Sequence, residues 1–327
     1  MFGLEWLRAR TDARGLLEHA RGGLPLLEEG YTTDDNARAL LYLALLPPGA
    51  RDPALVRTYL AFLLYMQRQD GRFRNGLSPE GRFEDEGEAE DPTGRAILAL
   101  AAASLGLDPD LRETARFALE RALGVAERLC APRAQAYALL GLLALREEPF
   151  RELAHLLGRR LRQAFAQAEA SWPFPGPLTY ANHRPLEALW AYARAFGDGE
   201  VLGLVRRAQG LLDRVYFSGE GAPFFDPVGN AFMAPGEAKP LFDQQPIEAK
   251  AAVSFYLRVG ERPKAELAFL WFHGRNRLGV PLVDAFGPMD GLTPEGPNRN
   301  RGAEALLSYL LAWQALVQGP FPREEAP

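Results

Sequence analysis

Helical segments of two kinds alternate along this chain, and that alternation restricts its architecture more than any other feature. The first kind is amphipathic: "TDARGLLEHAR", "DPALVRTYLAFLLYMQRQ", "DLRETARFALERALGVAERL", "FRELAHLLGRRLRQAFAQAEA", "EVLGLVRRAQGLLDRVYF" and "RPKAELAFLWFHGR". Charges recur on one face of each, as expected for a helix with one wall in water. The second kind is apolar on nearly every side: "ARALLYLALL", "GRAILALAAASL", "AQAYALLGLLAL", "LEALWAYARAF", "IEAKAAVSFYL" and "GAEALLSYLLAWQAL". A helix that is apolar all round is buried. These runs fall well short of the roughly 20 residues of a membrane span, so they are expected to be buried in protein.

Strict alternation that buries every second helix between two amphipathic ones describes two concentric rings. The expected fold is therefore an all-α (α/α)6 toroid with amphipathic outer and apolar inner helices. Inner helices are expected to start near residues 35, 91, 132, 183, 246 and 300, a spacing that is irregular but repeat-like. An open solenoid is the competing arrangement, but there both helices of a repeat usually keep an exposed face. One domain is expected over 1–327, with its core at about 11–316 and a loose tail at 318–327.

The connections are asymmetric. Those that lead into apolar helices include "DGRFRNGLSPEGRFEDEGEAEDP", "SWPFPGPLTYANHRP", "SGEGAPFFDPVGNAFMAPGEAKPLFDQQP" and "NRLGVPLVDAFGPMDGLTPEGPNRNRG", whereas returns such as "GDGE" are short. Long loops in a compact domain are usually functional or disordered. Their aromatics, Gly and Pro suggest ordered turns and short β-hairpins, all at one end, above the N-termini of the inner helices.

The first turns of the inner helices would converge there: "TTDDNAR", "AEDPTGR", "APRAQAY", "TYANHRPLE", "FDQQPIE" and "PNRNRGAE". Capping explains part of this polarity. Thr33 and Asp91 are N-cap types, Pro92 and Pro246 suit a first turn, and acids complement the helix dipole. Asp34 with Arg38, and Asp91 with Arg95, could pair at i and i+4. Capping explains less well why Arg38, Arg95, Tyr137, Glu187, Glu248 and Glu304 lie one turn deeper, because buried charge is costly unless paired or used.

A carboxylate-rich funnel with aromatic loops suits a sugar. Candidate contacts are Asp34, Asn36, Arg38, Arg95, Arg133, Tyr137, Tyr180, Asn182, His183, Glu187, Asp243, Gln244, Gln245, Asn298 and Asn300. Phe83, Trp172, Phe174, Tyr180, Phe224, Phe225, Phe232 and Phe242 are available to stack on sugar faces, or to anchor the loops. Glycoside hydrolysis needs one protonated and one ionised carboxyl. Asp34 or Asp35 beside Arg38, and Asp91 beside Arg95, fit the ionised role. Glu248, with no cation three or four residues away, is the first choice for the acid, and Glu304 the second.

Other chemistries have less support. The formal net charge of −5 and a pI near 5.6 argue against a nucleic-acid or anionic-membrane footprint. Cys130 is the single cysteine, so no internal disulfide forms, and a buried inert thiol is expected. His19, His155, His183 and His273 show no metal-ligand spacing, and His19 and His155 fall on outer helices in this reading. No metal or cofactor is expected, although acids and amides would suit a hard cation. The charged N-terminus "MFGLEWLRARTDARG" does not read as a signal peptide, so a cytoplasmic protein is expected. Lys239, Lys250 and Lys264 are the only lysines among 37 basic residues, a bias that fits a GC-rich, thermophilic bacterium.

The motifs "GYTTDDNARALLYL", "DGRFRN", "EDPTGRAILAL", "PRAQAYALLGL", "LTYANHRPLEAL", "FDQQPIEA" and "DGLTPEGPNRNRGAEALLSYLLA" together resemble a bacterial family of six-hairpin-glycosidase-like proteins. The resemblance runs from about residue 11 to 316. It implies the toroid and a link to glycan metabolism, since such proteins are often encoded beside, or fused to, glycosyltransferases. Asp34, Asp35, Asp91, Asp243, Glu248 and Glu304 fall on its motifs. This chain departs from the pattern at Phe174-Pro175-Gly176 and at Ala181, where the family usually carries acids. The expectation is an inverting glycoside hydrolase acting on an oligosaccharide with Glu248, Asp35, Asp91 and Glu304. Its rivals are a non-catalytic glycan-binding partner of a glycosyltransferase, a sugar epimerase or isomerase that depends on His183, and a lyase.

Overall fold

The computed structural model describes residues 3–84 and 89–323, so residues 85–88 of the first long loop and 324–327 of the tail lie outside it. In chain order the helices begin α1 (Leu4–Ala9), α2 (Thr33–Leu45), α3 (Pro53–Met66), α4 (Asp91–Gly106), α5 (Pro109–Arg121), α6 (Leu123–Ala126) and α7 (Pro132–Leu143). They continue with α8 (Phe150–Ala166), α9 (His183–Phe196), α10 (Gly199–Tyr216), α11 (Pro246–Arg258), α12 (Arg262–Leu270) and α13 (Ala303–Gln318). The inner ring is α2, α4, α7, α9, α11 and α13. Each packs on the next, and α13 returns to α2. That closure makes the fold an (α/α)6 toroid and excludes the open solenoid.

The inner helices start where the sequence places them, because proline and caps fix their ends. Pro92, Pro132 and Pro246 stand in the first turns of α4, α7 and α11. Thr32, one residue before the expected cap, accepts the Asp35 N–H through its Oγ1 at 3.2 Å. Thr33 instead donates its hydroxyl to the Arg74 carbonyl. Where α4 meets α7, glycine sets the spacing. A Cβ at Gly94 would lie 2.6 Å from the Ala134 carbonyl oxygen, and one at Gly141 would lie 2.9 Å from Leu98 Cα.

One expected helix is not formed. "TDARGLLEHAR" runs as turns and bridges, Thr11 with Leu16 and Leu17 with Tyr31, into strand β1 (Ala20–Arg21). Asp12 Oδ1 accepts the Arg14 and Gly15 N–H groups at 2.8 and 3.2 Å, a local turn that competes with helix. The sixth outer position is taken by α1 instead. Leu4 and Leu7 are buried, and the Trp6 ring lies 6.2 Å from that of Tyr309 on α13. Within the stretch 318–327, the carbonyls of Phe321 and Pro322 accept from Arg258 at 2.9 and 3.0 Å.

The long connections gather at the N-terminal end of the inner ring as two-stranded antiparallel pairings. β1 pairs with β2 (Leu24–Pro25), and β3 (Tyr31–Thr32) with β4 (Gly76–Leu77). β5 (Phe217–Ser218) pairs with β6 (Phe224–Phe225), β7 (Val283–Asp284) with β8 (Gly287–Pro288), and β9 (Gly291–Thr293) with β10 (Gly296–Asn298). Cys130 is exposed rather than buried, since it stands in the connection that leads from α6 into α7. Among the described residues no helix is long and apolar enough to cross a membrane.

Candidate functional site

A cavity of about 460 Å3 opens at the N-terminal ends of α2, α11 and α13. Six carboxylates line it, from Glu18, Asp34, Asp35, Asp243, Asp290 and Glu304, with Arg38 as the facing guanidinium. Amides complete the wall: Asn75, Asn230, Gln244, Gln245 and Asn298. Such a surface offers many acceptors and few cations, which suits hydroxyl groups better than anions.

The carboxylates differ in how they are held. Asp35 is 3% exposed, receives Arg38 Nη1 at 2.6 Å and accepts the Thr32 hydroxyl at 2.9 Å. Burial still wins and pushes it up to about 6, against the pull of Arg38. Glu304 receives Arg38 Nη2 at 2.8 Å and stays half-open to the cavity. Burial also raises Asp34, opposed by Arg38 and Arg133. Glu18 is pushed up to about 7 by burial first and then by the Asp35 charge, with His19 opposing. At neutral pH the cavity thus holds a carboxyl that is partly protonated beside carboxylates anchored on a cation, the division of labour that acid–base chemistry on a glycosidic oxygen requires.

The α11 wall is pinned from behind. Gln244 Nε2 donates to Asp226 Oδ1 at 2.8 Å, and its Oε1 accepts Trp271 Nε1–H at 2.8 Å. Its backbone pairs with Leu292 in both directions, and a Cβ at Gly291 would lie 2.1 Å from the Gln244 carbonyl oxygen. Asp243, between the pinned residues and the cavity, has φ +59°, a left-handed conformation that costs an ordinary residue about 1 kcal/mol or more. Asp226 itself is fully buried. Burial would raise its carboxyl, but Arg277, at 2.5 Å, and Lys239 outweigh that and hold it below the usual range.

A second polar group adjoins the first. Asp91 Oδ2 accepts Arg133 Nε–H at 3.1 Å and the Tyr180 hydroxyl at 2.9 Å, and the Arg133 guanidinium stacks 3.7 Å over the Tyr180 ring. Arg95 lies 3.7 Å from Asp91 and 3.5 Å from Asp34, joining the two groups, and its guanidinium faces the Tyr137 ring. Of the two aspartates expected beside Arg38, Asp35 makes the pair at i and i+3, while the Asp34 carboxylate lies 3.5 Å from Arg95.

Several expected residues are not brought to the cavity. Glu248 is 1% exposed and turns back between α9 and the outer α10, where Asn182 Nδ2 and the Tyr216 hydroxyl both donate to its Oε1 at 3.1 Å. Burial pushes it up to about 8. It is protonated as an acid should be, but it does not face the funnel. His183 is fully buried among Tyr216, Phe225, Phe255 and Tyr256, and burial lowers it to about 3. Glu187, also fully buried, pairs with Arg184 and Arg258 further down the ring. Asn36 is spent on the backbone of Leu16 and Thr32. Asn300 sits just behind the wall, donating to Asp290 and contacting His19 Nδ1 at 2.7 Å. None of the eight loop aromatics lines the cavity, and Trp172, Phe174 and Phe225 are core.

Glu18, His19, Asn75, Asn230 and Asp290 line the cavity without having been singled out. Glu18 and His19 were hidden by the helical reading of their segment; His19 belongs to the funnel rim and not to an outer helix. Asp290 stands in "DGLTPEGPNRN", whose glycines and prolines marked a built loop.

No known family profile matches the chain, and no curated protein does. Solved structures do. The cellobiose 2-epimerase from Spirochaeta thermophila is 16% identical with a TM-score of 0.70, over 96% of this chain and 92% of that one. A D-mannose isomerase is 11% identical with a TM-score of 0.70, over 95% and 94%. An alpha-1,6-mannanase from Salegentibacter sp. is 13% identical with a TM-score of 0.60, over 96% and 97%. It was solved as an inactive variant, two adjacent aspartates replaced by asparagine, with alpha-1,6-mannotriose bound. The chain shares over nearly its whole length the (α/α)6 toroid of these sugar epimerases, isomerases and glycosidases.

Proposed function

We propose that the chain is a glycoside hydrolase whose active site is the carboxylate cavity at the inner-helix N-termini. One observation carries this reading: six carboxylates converge on one cavity, with a raised Glu18 beside the Arg38-anchored Asp35 and Glu304. Glu18 serves as proton donor to the leaving oxygen, while an ionised carboxylate of the Asp34, Asp35 and Glu304 group activates water. Inversion is proposed by analogy with the fold. Asp91, Arg133 and Tyr180 would bind a neighbouring sugar unit. We place the reaction in the cytoplasm, with a glycosyltransferase as partner protein.

Sugar epimerisation or isomerisation is the second reading, favoured by His19 beside Glu18 and Asp290 at the rim. Proton NMR of oligosaccharides incubated in D2O separates the two. New reducing ends formed first in the inverted anomer support hydrolysis. Deuterium at C2 without new reducing ends supports epimerisation. Neither signal over a broad panel of mannose- and glucose-containing oligosaccharides overturns both. Asp34→Asn and Asp35→Asn should each lower hydrolysis at least 100-fold.

A further inference from the structure

Beneath the cavity, the axis of the toroid holds buried guanidinium groups with N–H donors that find no acceptor among the described residues. Arg184 is 2% exposed and gives only Nη1 to Glu187, whose other oxygen receives Arg258 Nη2 at 3.2 Å, so one carboxylate serves two guanidiniums. Arg184 Nε and Nη2 have no hydrogen-bond partner among the described residues. Arg95 is 4% exposed, its carboxylate neighbours stand off at 3.5 and 3.7 Å, and its Nε and Nη1 also lack an acceptor. The guanidinium carbons of Arg95 and Arg184 lie 4.8 and 5.3 Å from the centroid of the same Tyr137 ring. Lys250 points into the same axis and meets no carboxylate among the described residues.

Buried charged donors without acceptors are costlier than neutral ones, and like charges in a low-dielectric interior repel strongly. Two small cavities adjoin here, of about 20 and 40 Å3, and Lys250 lines both. Arg95 and Ser308, whose hydroxyl has no partner among the described residues, line the upper one, and Arg184 lines the lower beside Glu187, whose two oxygens are already taken by Arg184 and Arg258. Leu41, Leu98 and Leu311 wall both. The space fits one or two particles the size of water. It is too small for phosphate, sulfate or the carboxylate of a sugar acid, and the leucines shared by both cavities favour a weakly hydrated ion.

We propose that the toroid axis binds a single halide ion, chloride in the cell, held by Lys250 with Arg95 and Arg184. The ion would supply the charge and the acceptor that these donors lack, and would stabilise the inner ring directly under the active site.

The test is anomalous diffraction from crystals soaked in sodium bromide. One bromide peak is expected within about 3.5 Å of Lys250 Nζ, close to a guanidinium of Arg95 or Arg184. In solution, thermal unfolding at fixed ionic strength should occur at least about 2 °C higher in chloride or bromide than in gluconate. Lys250→Met, at a half-buried position, should abolish both the peak and the halide dependence. The absence of any bromide on the axis, equal melting in all three salts, or a halide effect that survives Lys250→Met would each overturn the proposal.

Discussion

Arg38 on α2 donates through Nη2 to Glu304 on α13 at 2.8 Å, and so ties the first inner helix to the last. Its Nη1 holds Asp35 at 2.6 Å. The same side chain therefore closes the ring and anchors the carboxylates of the cavity. The two pairs differ in weight. The Glu304 side chain is 39% exposed and its pair is screened by solvent, whereas that of Asp35 is 5% exposed. Removing one member of a buried pair typically costs about 3–5 kcal/mol. Arg38→Met should therefore lower stability by roughly 3 kcal/mol in urea denaturation, nearly all of it through Asp35. Adding Asp35→Asn to that variant should recover part of the loss, because the stranded charge is then removed. Glu304→Gln alone should cost less than about 1 kcal/mol.

Glu248 gives a stability prediction with a defined sign. Its carboxyl is raised from 4.5 to about 8 by burial, so the folded state holds the proton more tightly than the unfolded state. Its favourable contribution is complete below pH 4.5 and is lost as pH rises to about 8. The Glu248→Gln variant keeps an acceptor for Asn182 and Tyr216 but has no charge to bury. The wild type should lose on the order of 4 kcal/mol relative to this variant between pH 4.5 and 8.5. Because Glu248 does not face the cavity, activity should survive the substitution. Loss of activity with an unchanged pH–stability curve would instead return Glu248 to the proton-donor role.

The ring and its orientation were legible because both rest on periodicity. An apolar face on every side of "GRAILALAAASL" leaves burial as its only stable outcome, and Pro92, Pro132 and Pro246 fix starts to within a residue. The direction of a side chain at a helix start is less legible. Asp35 and Glu248 both occupy first turns of inner helices, yet one faces the axis cavity and the other turns toward α10. Position along the chain places both at the same height; only the rotation of each helix about its axis separates them. Glu18 was illegible for another reason. Its charge spacing reads as a helix face, while the turn made by Asp12 and Gly15 breaks the helix before it forms. The departure at Ala181 becomes informative in the structure: its φ of +52° is one that Asn or Asp adopts more readily than alanine.

Gly94 tests the packing of the ring. Helix propensity alone favours Gly94→Ala by about 1 kcal/mol. Against that, the new methyl would meet backbone of α7 at 2.6 Å from Ala134 O and 2.9 Å from Ala134 Cα, neither of which can rotate away. Overpacking of this kind costs about 1–3 kcal/mol, and contact with backbone on the facing helix puts it at the upper end. The net expectation is destabilisation by about 1–2 kcal/mol, read as a lower melting temperature. An unchanged or raised melting temperature would mean that α4 and α7 can separate freely.

Glu18 is the residue on which the proposed chemistry turns. A proton donor with a carboxyl raised to about 7 is active while protonated, so hydrolysis should fall as pH rises through about 7. Glu18→Gln should remove that basic limb and lower kcat by roughly 100- to 10,000-fold on substrates with a sugar leaving group. An aryl glycoside with an acidic phenol leaving group needs no protonation, so its hydrolysis should be far less affected by the same substitution. A residue that only shapes the loop through the backbone bonds Glu18 makes to Gly30 and Ala303 would behave differently. Its replacement would depress both substrates alike and leave the pH profile where it was. The ratio of the two rates in Glu18→Gln therefore separates proton donation from loop positioning, and an equal loss on both substrates would remove Glu18 from the mechanism.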